Sequence, residues 1–492
     1  MVDAEEIREL INGHFEWLVV RNARLSFPIN RTEIEIEKRG GKVLLGLPDE
    51  LGFRSWRVNS FLSSENEIEL EVAGAFGKEE EQMRLVPRTS AQTLALEIEI
   101  ARLKRANEIA EALCADDVKI TLNRVALAKE NGRIAHIFFK NGADGLNALM
   151  ADVTGGSTCE SLLASALSWQ AKLDLRKKNR VDKIWIAAAT RTARNLQKLL
   201  SLLKAPARES IVITEILDKG GETLVRALPS RPMSSLWRER SKKLSLPASP
   251  RPAEIAHGMM DLAPDHTDVI YSNQGETVRF SGLPFARVRT MLGHERAWFG
   301  VNKDRSPLTA DSWTALADLI ADLRNYRRAD TPNKHHELYR AAPEAWLESI
   351  LLRNIKLLDA NLILSPIYNQ FRASNDKIDL LALRSDGRLV IIELKTAPDR
   401  EVIFQAADYW RKIELHRRRG QLAVADLFDG REITDKPAII YLAAPAWSFH
   451  RDFEFYARML SKEIELWRFE LHENWRHEVK VLARVNYSES GR

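Results

Sequence analysis

Cysteine is almost absent. Cys114 and Cys159 are the two in 492 residues, and they form neither a metal-ligand spacing nor a disulfide framework. Such sparing use suits a reducing compartment. No apolar run approaches the roughly 18 residues that a membrane-spanning helix needs. The start, MVDAEEIREL, is acidic and has no apolar signal core. A charge excess is lacking too: 73 basic residues against 69 acidic ones leave +4, so any basic surface has to be local. No P-loop is present, so movement along a polymer would need another chain. These absences predict a soluble, cytoplasmic protein without a membrane partner. What is there is ordinary globular material, 45% hydrophobic and 29% charged, which excludes wholesale disorder. The length predicts about three or four domains.

The fold class expected is a multidomain α/β protein. Residues 1–89 read as a β-rich domain, with alternating segments such as EIEIEKRG and NEIELEVAG. Gly40–Gly41 and the SSEN stretch at 63–66 are its candidate turns. Residues 90–227 read as an α/β domain: a helix to about 113, three strands, a helix, a strand, a helix and a strand. Asn131-Gly132 marks its first hairpin. A linker rich in Pro and Arg is expected at 228–265, because Pro229, Pro232, Pro247, Pro250 and Pro252 can continue neither a helix nor a central strand. A small α/β piece follows at 266–330, and the polar stretch RRADTPNKHH separates it from a last domain at 331–492.

The chemistry concentrates between Pro343 and Tyr409. A helix is expected over PEAWLESILLRNIKLL, with Pro343 in its first turn. The strands KIDLLALR and RLVIIELK are joined by Ser385-Asp386-Gly387, a tight turn, and LILSPIYNQF at 362–371 supplies a preceding strand. After a further helix comes the strand PAIIYLAA, which completes α-β-β-β-α-β. The hairpin folds Asp379 onto Glu393, fourteen residues later, and Glu393 and Lys395 share one face of their strand. Two carboxylates and an ammonium thus meet at the end of an apolar sheet. Ionised groups are costly there unless they are paired or bind a cation. Oxygen donors around a gap suit Mg²⁺ or Mn²⁺. Lys395 would hold or deprotonate the attacking water, or neutralise a phosphate, and the spacing does not choose among these.

This stretch resembles the PD-(D/E)xK nuclease superfamily. The matching pieces are Glu344 on the first helix, Asp379 in IDLLAL, Glu393-Leu394-Lys395, and the Gln405–Tyr409 QxxxY element of the RecB-type branch. The first helix also looks like that of NucS-type endonucleases. The resemblance covers residues 335–490. It implies a restriction-endonuclease-like αβββαβ core, and hydrolysis of DNA phosphodiesters by metal-activated water. In its terms Asp379 and Glu393 are metal ligands with the Leu394 carbonyl as a third, Lys395 is the catalytic lysine, and Gln405 and Tyr409 face the site. Glu344 or Glu348, one turn apart on one helical face, completes the ligand shell. DNA is the expected partner, with RNA an open alternative, alongside self-association or the proteins of a repair or defence pathway. The rival reading, a non-catalytic nucleic-acid-binding or assembly protein with a nuclease-like fold, gains nothing from an intact D…ExK set.

Elsewhere the bland reading competes. Arg411, Lys412, Arg417, Arg418 and Arg419 crowd after Tyr409 and are either phosphate contacts or a solvated face. RKKNR at 176–180 and RERSKK at 238–243 read as solvated surface. His335, His336 and His416 lack zinc-ligand spacing and read as exposed. Residues 90–217 repeat the element order of the last domain, and laying ALMADVT over VIIELKT puts Asp152 on Glu393 and Thr154 on Lys395. Fourteen residues before Asp152 stands Phe138. The expectation is a decayed, non-catalytic nuclease-like module.

Overall fold

The computed structural model describes residues 3–488 apart from 22–23, 50–51, 65–66, 75–79, 89–90, 117–119, 130–131, 142–144, 176–180, 220–221, 240–250, 273–274, 292–293, 302–304 and 366–377. The chain divides into two compact units. One holds Met1–Thr158, Gln170–Arg194 and Ile211–Leu228; the other holds Cys159–Trp169, Asn195–Ser210 and Pro229–Arg492. Among the described residues no helix is long and apolar enough to cross a membrane.

The first unit opens with helix Ala4–Asn12 and seven strands: β1 (Glu16–Arg21), β2 (Arg24–Asn30), β3 (Glu35–Arg39), β4 (Lys42–Asp49), β5 (Gly52–Ser63), β6 (Ile68–Gly74) and β7 (Glu80–Pro87). They form one antiparallel sheet in the order β2-β1-β7-β6-β5-β4-β3. Alternating residues such as Ile68, Leu70 and Val72 go inward against Ile7 and Ile11 of the helix. Gly40 and Gly41, with φ of 59° and 74°, make the expected two-residue turn between paired Arg39 and Lys42. The SSEN turn ends on residues outside the described set, as does Asn131 of the second expected hairpin.

Helix Ala91–Asp116 then leads into β8 (Ile120–Leu127), β9 (Ile134–Asn141) and β10 (Leu146–Asp152), helix Cys159–Asp174, β11 (Val181–Ala189), helices Thr190–Leu200 and Ala205–Glu209, and the hairpin β12 (Ile211–Lys219) and β13 (Glu222–Ala227). The sheet order is β13-β12-β11-β10-β9-β8. Ala106, Ile109, Ala110 and Leu113 of the first helix pack on Ile137, Phe139, Leu149 and Ala151.

In the second unit, a sheet of β14 (Thr267–Ser272), β15 (Gly275–Phe280), β16 (Leu283–Met291), β17 (His294–Phe299) and β18 (Ser306–Pro307) runs in sequence order and packs on helix Trp313–Tyr326. The segment expected as a linker is partly structured, which corrects the boundary at 265. Met233 and Leu236 are buried in a 3-10 turn, and Glu254–Asp261 is a helix that contributes Ala256 and Met259 to the core. Its amide groups at Ala253, Glu254 and Ile255 are received by the Glu276 and Glu295 carboxylates of the sheet. That cap comes from distant residues, so local reading of the prolines misses it. Residues 240–250 lie outside the described set.

The last module is helix Pro343–Arg353, β19 (Leu362–Leu364), β20 (Leu380–Arg384), β21 (Leu389–Leu394), helix Val402–Arg418, β22 (Ile439–Pro445), helix Phe453–Met459, β23 (Glu465–Leu471) and β24 (Val481–Asn486). The first helix stops earlier than its apolar pattern suggests, because the Asn354 side chain accepts the Lys356 N–H and starts a 3-10 turn. The sheet runs β19-β20-β21-β22-β23-β24, with β21, β22 and β23 parallel and the outer pairs antiparallel. The sheet of β8 to β13 has the same order and the same directions. The chain therefore contains two six-stranded modules of one topology, as their common element order predicts. Within the last module, Leu347 and Leu351 pack on Leu380, Ala382, Val390 and Ile392. Helix Val402–Arg418 contacts β21 and β22. Its Phe404, Ala407 and Trp410 are buried, and the indole N–H of Trp410 donates to the Ala438 carbonyl.

The start of helix Pro343–Arg353 is fixed from the five-stranded sheet. Gly282, at φ of 80°, approaches so closely that a Cβ there would stand 1.9 Å from the Ala345 carbonyl oxygen.

Candidate active site

All six residues of β21 are buried, so whatever its end presents is held rigidly. Pairing of Leu380 with Ile392 continues by one step to bring Asp379 opposite Glu393. Asp379 Oδ2 accepts the Leu394 N–H at 2.8 Å, which pins the aspartate to the strand that carries the other acid. Lys395 Nζ sits 3.3 Å from Glu393 Oε1, 3.2 Å from Asp399 Oδ2 and 3.2 Å from Gln405 Oε1. Gln405 Nε2 in turn donates to the Tyr409 hydroxyl at 3.1 Å, one helical turn along. The sequence-expected Asp379, Glu393, Lys395, Gln405 and Tyr409 thus form one connected cluster.

Charge in this cluster is strongly perturbed. Glu393 is 2% exposed, and its Oε2 is buried without a hydrogen-bond partner among the described residues. Burial, then the adjacent Asp379, pushes its carboxyl well above the usual carboxylate range, against the pull of Lys395. Burial alone would pull the Lys395 ammonium down; Glu393, Glu344 and Asp399 outweigh it and drive the group above its ordinary value. Lys395 is therefore a cation and a donor, not a base, in this arrangement. Burial, then Glu393, also raises the Tyr409 hydroxyl, so it stays neutral.

The two first-helix acids separate. Glu344 is close enough to act on both Glu393 and Lys395. Glu348 is engaged elsewhere: it is 1% exposed and Oε1 lies 3.3 Å from the buried Arg279 Nη1, and Arg279 Nε reaches Asp268 at 2.6 Å. A carboxylate committed to a buried guanidinium of the neighbouring sheet serves packing of that helix. Asp399 was missed by sequence reading. Its only sequence signal is an acid four residues beyond the lysine, in a loop where no helical period applies.

The basic run makes ion pairs within the chain. Arg411 and Arg417 have side chains only 9% and 6% exposed and pair with Asp408 and with Glu414 and Asp435. Lys412 pairs with Asp408 at 2.8 Å, Arg418 with Glu414 at 3.3 Å over the Trp237 ring, and Arg419 donates to the Glu239 carbonyl. Four of these cations are paired with carboxylates within the chain, and Arg419 meets a backbone carbonyl. RKKNR at 176–180 lies outside the described residues, as does most of RERSKK. His336 accepts the Leu338 N–H and stacks on Tyr326, so it caps a helix.

The corresponding position in the other six-stranded module lacks this chemistry. Asp152 Oδ1 accepts the N–H groups of Thr154 and Gly155 and the Thr154 hydroxyl, and Oδ2 accepts the Ser157 N–H. Its carboxylate is fully employed in tying its own loop. The residue across from it is Ile134, not Phe138, which pairs with Ala148. Counting fourteen back assumed two hairpins of equal length, and that of β9 and β10 is longer.

The donor set suits a hard divalent cation. Among the described residues no three His, Cys, Asp or Glu side chains stand together as a ready metal cage. Mg²⁺ does not require one, since it keeps several waters and takes one or two carboxylates plus substrate oxygens. Asp379, Glu393 and the Leu394 carbonyl would hold it, and the orphaned Glu393 Oε2 is the atom such a cation would satisfy. A pH-linked consequence follows. Because the folded-state carboxyl of Glu393 is raised above its ordinary 4.5, the folded chain holds the extra proton above that pH. Metal-free stability should therefore fall as pH rises from about 4.5 through the raised value. Mg²⁺ needs the carboxylate, so its gain in melting temperature should grow over the same range. Thermal melts between pH 5 and 8, in EDTA and in Mg²⁺, check this. Both trends should vanish in Glu393→Gln; a metal gain that is flat with pH would remove Glu393 from the ligand set.

No protein-family model, curated protein or solved structure matches the chain.

Proposed function

We propose that the chain is a Mg²⁺- or Mn²⁺-dependent nuclease that hydrolyses DNA phosphodiester bonds in the cytoplasm, in repair or defence. The observation that supports this reading best is the buried Glu393, with one orphaned oxygen, set between Asp379 and a lysine that three side-chain oxygens fix. A merely solvated strand end would show none of this burial. A purely structural ion pair would not need the second carboxylate, which raises the cost of the first.

Bound by these carboxylates, the cation would offset charge on the phosphoryl oxygen and make a water more acidic. The chain's own residues supply the rest. Lys395, as a fixed cation, offsets charge on a non-bridging phosphate oxygen, turning to it the N–H that now points at Glu393, the carboxylate a bound cation would take over. Gln405, braced by Tyr409, and Asp399 hold the ammonium in place, so little reorganisation accompanies reaction. Asp379, anchored on the Leu394 amide, holds its carboxylate next to Glu393. Glu344 adds a third negative charge at the edge.

The test is a cleavage panel of single-stranded, duplex, forked and mismatched DNA, with RNA beside them, in Mg²⁺, in Mn²⁺ and in EDTA. Cutting in either metal and none in EDTA is expected. Tight binding with no cutting in any condition would favour the non-catalytic alternative.

A further inference from the structure

Tryptophan is the largest apolar side chain, and most of the twelve here are buried or half-buried. Two are exposed, Trp313 at 43% and Trp447 at 84%. A lone exposed apolar residue is common on protein surfaces and by itself needs no explanation. The position of Trp447 is what distinguishes it. It lies in the 3-10 turn Ala446–Ser448 directly after β22. That strand runs parallel to β21, with Glu393 paired to Leu442 and the Lys395 N–H donating to the Ala443 carbonyl at 3.1 Å. Parallel strands end at the same edge of a sheet, so the turn emerges where the acid–lysine cluster does. Four residues beyond Ala443, Trp447 is at most about 14 Å from it.

The turn is also held firmly. The Trp447 N–H donates to Glu473 Oε1 at 2.9 Å, and the Ser448 hydroxyl donates at 3.1 Å to the carbonyl of Thr396, the residue after Lys395. Ser448, Phe449 and His450 line a small cavity together with Glu393, Lys395 and Asp399. The turn is therefore held by Glu473 at Trp447 and, through the Ser448 hydroxyl, by the residue that follows Lys395, while the ring faces solvent. Next in the chain, the Arg451 side chain is 86% exposed. An exposed aromatic plane on a fastened turn, at the same sheet edge as the ammonium and close in sequence to an exposed guanidinium, matches a nucleotide, with base on ring and phosphate on cation.

We infer that Trp447 stacks on an unpaired nucleobase a few nucleotides from the phosphate held at Lys395, so that the site takes single-stranded or locally unpaired DNA. This rests on the nuclease reading and narrows its substrate. Inside a duplex both faces of a base are covered by neighbours, so an indole finds a free face only on an unstacked strand. Stacking is tolerant of base identity, so little sequence preference should come from this contact.

The experiment titrates the full-length protein, in EDTA to prevent cutting, with single-stranded oligonucleotides carrying one 2-aminopurine at successive positions. Quenching of 2-aminopurine emission is expected over one or two adjacent positions. Trp447→Ala should abolish that quench and weaken single-strand affinity about tenfold, within the range of a lost base stack. Trp447→Phe should keep most of both, and the melting temperature of either variant should stay that of the wild type, because the ring is exposed. A fully paired duplex of the same sequence should show no quench. Unchanged affinity and quench in Trp447→Ala would overturn the inference and leave the nuclease reading standing. Failure of the wild type to bind any strand, with no cleavage in metal, would overturn both.

Discussion

Lys395→Ala should lower the rate of metal-dependent cleavage by about 10³-fold, within the range for removing a positioned donor or proton-transfer group from a buried site. Single-turnover cleavage at saturating Mg²⁺ reads it. Among the described residues the ammonium is the one cation paired with Glu393, and three acceptors fix it. Arginine should not rescue the loss, because a planar guanidinium cannot occupy a point position between three oxygens in a pocket that leaves the lysine 15% exposed. Asp399→Asn should cost less, about tenfold, by loosening one of the three restraints. Folding should survive Lys395→Ala, since Glu393 is already driven toward its neutral form by burial and by Asp379. A variant retaining a tenth or more of the wild-type rate would show that Lys395 serves the fold and not the chemistry.

The parts of this cluster that depend on local geometry were legible in the sequence. A tight Ser-Asp-Gly turn fixes which residues of a hairpin face each other, so Asp379 and Glu393 follow from their spacing, and Gln405 with Tyr409 follows from one helical turn. What stayed hidden depends on partners far along the chain. Glu344 and Glu348 share one face of a helix, and only Arg279, 69 residues from Glu348, separates their roles. The run from Arg411 to Arg419 announces its charge but not the acids that meet it: Asp408 and Glu414 are near in sequence, whereas Glu239 and Asp435 arrive from other elements. In the other six-stranded module, strand order was readable from element order, yet the register was not, since hairpin length decides it. Exposure of Trp447 had no sequence signal at all.

Arg327 likewise finds its partners far along the chain, and Arg327→Leu should destabilise the second unit by at least about 3 kcal/mol. The side chain is 1% exposed and donates to the carbonyls of Phe280, Ser281, Leu338, Ala341 and Ala342 at 2.7–3.2 Å. No carboxylate accompanies it in these contacts. Burial, then the neighbouring Arg476, pulls its pKa below the ordinary value, and the carbonyl dipoles with the Trp346 ring at 4.7 Å hold the charge in place. Leucine would fill much of the volume but strand five acceptors, each costly when buried and unmet. Arg327→Lys should recover only part of the loss, because three donors on one nitrogen cannot meet five carbonyls spread over two segments. The effect should reach the site as well. Ala341 and Ala342 lead directly into helix Pro343–Arg353, and Ala342 holds a left-handed φ of 40° that an alanine does not favour unaided. Without Arg327 that turn should relax and carry Glu344 away from Glu393 and Lys395. Calorimetric unfolding should show the lowered transition, and cleavage below it should be weaker than in the wild type. A leucine variant that melts with the wild type would mean that water meets the five carbonyls, and that the helix start is fixed by the close approach of Gly282 to Ala345 instead.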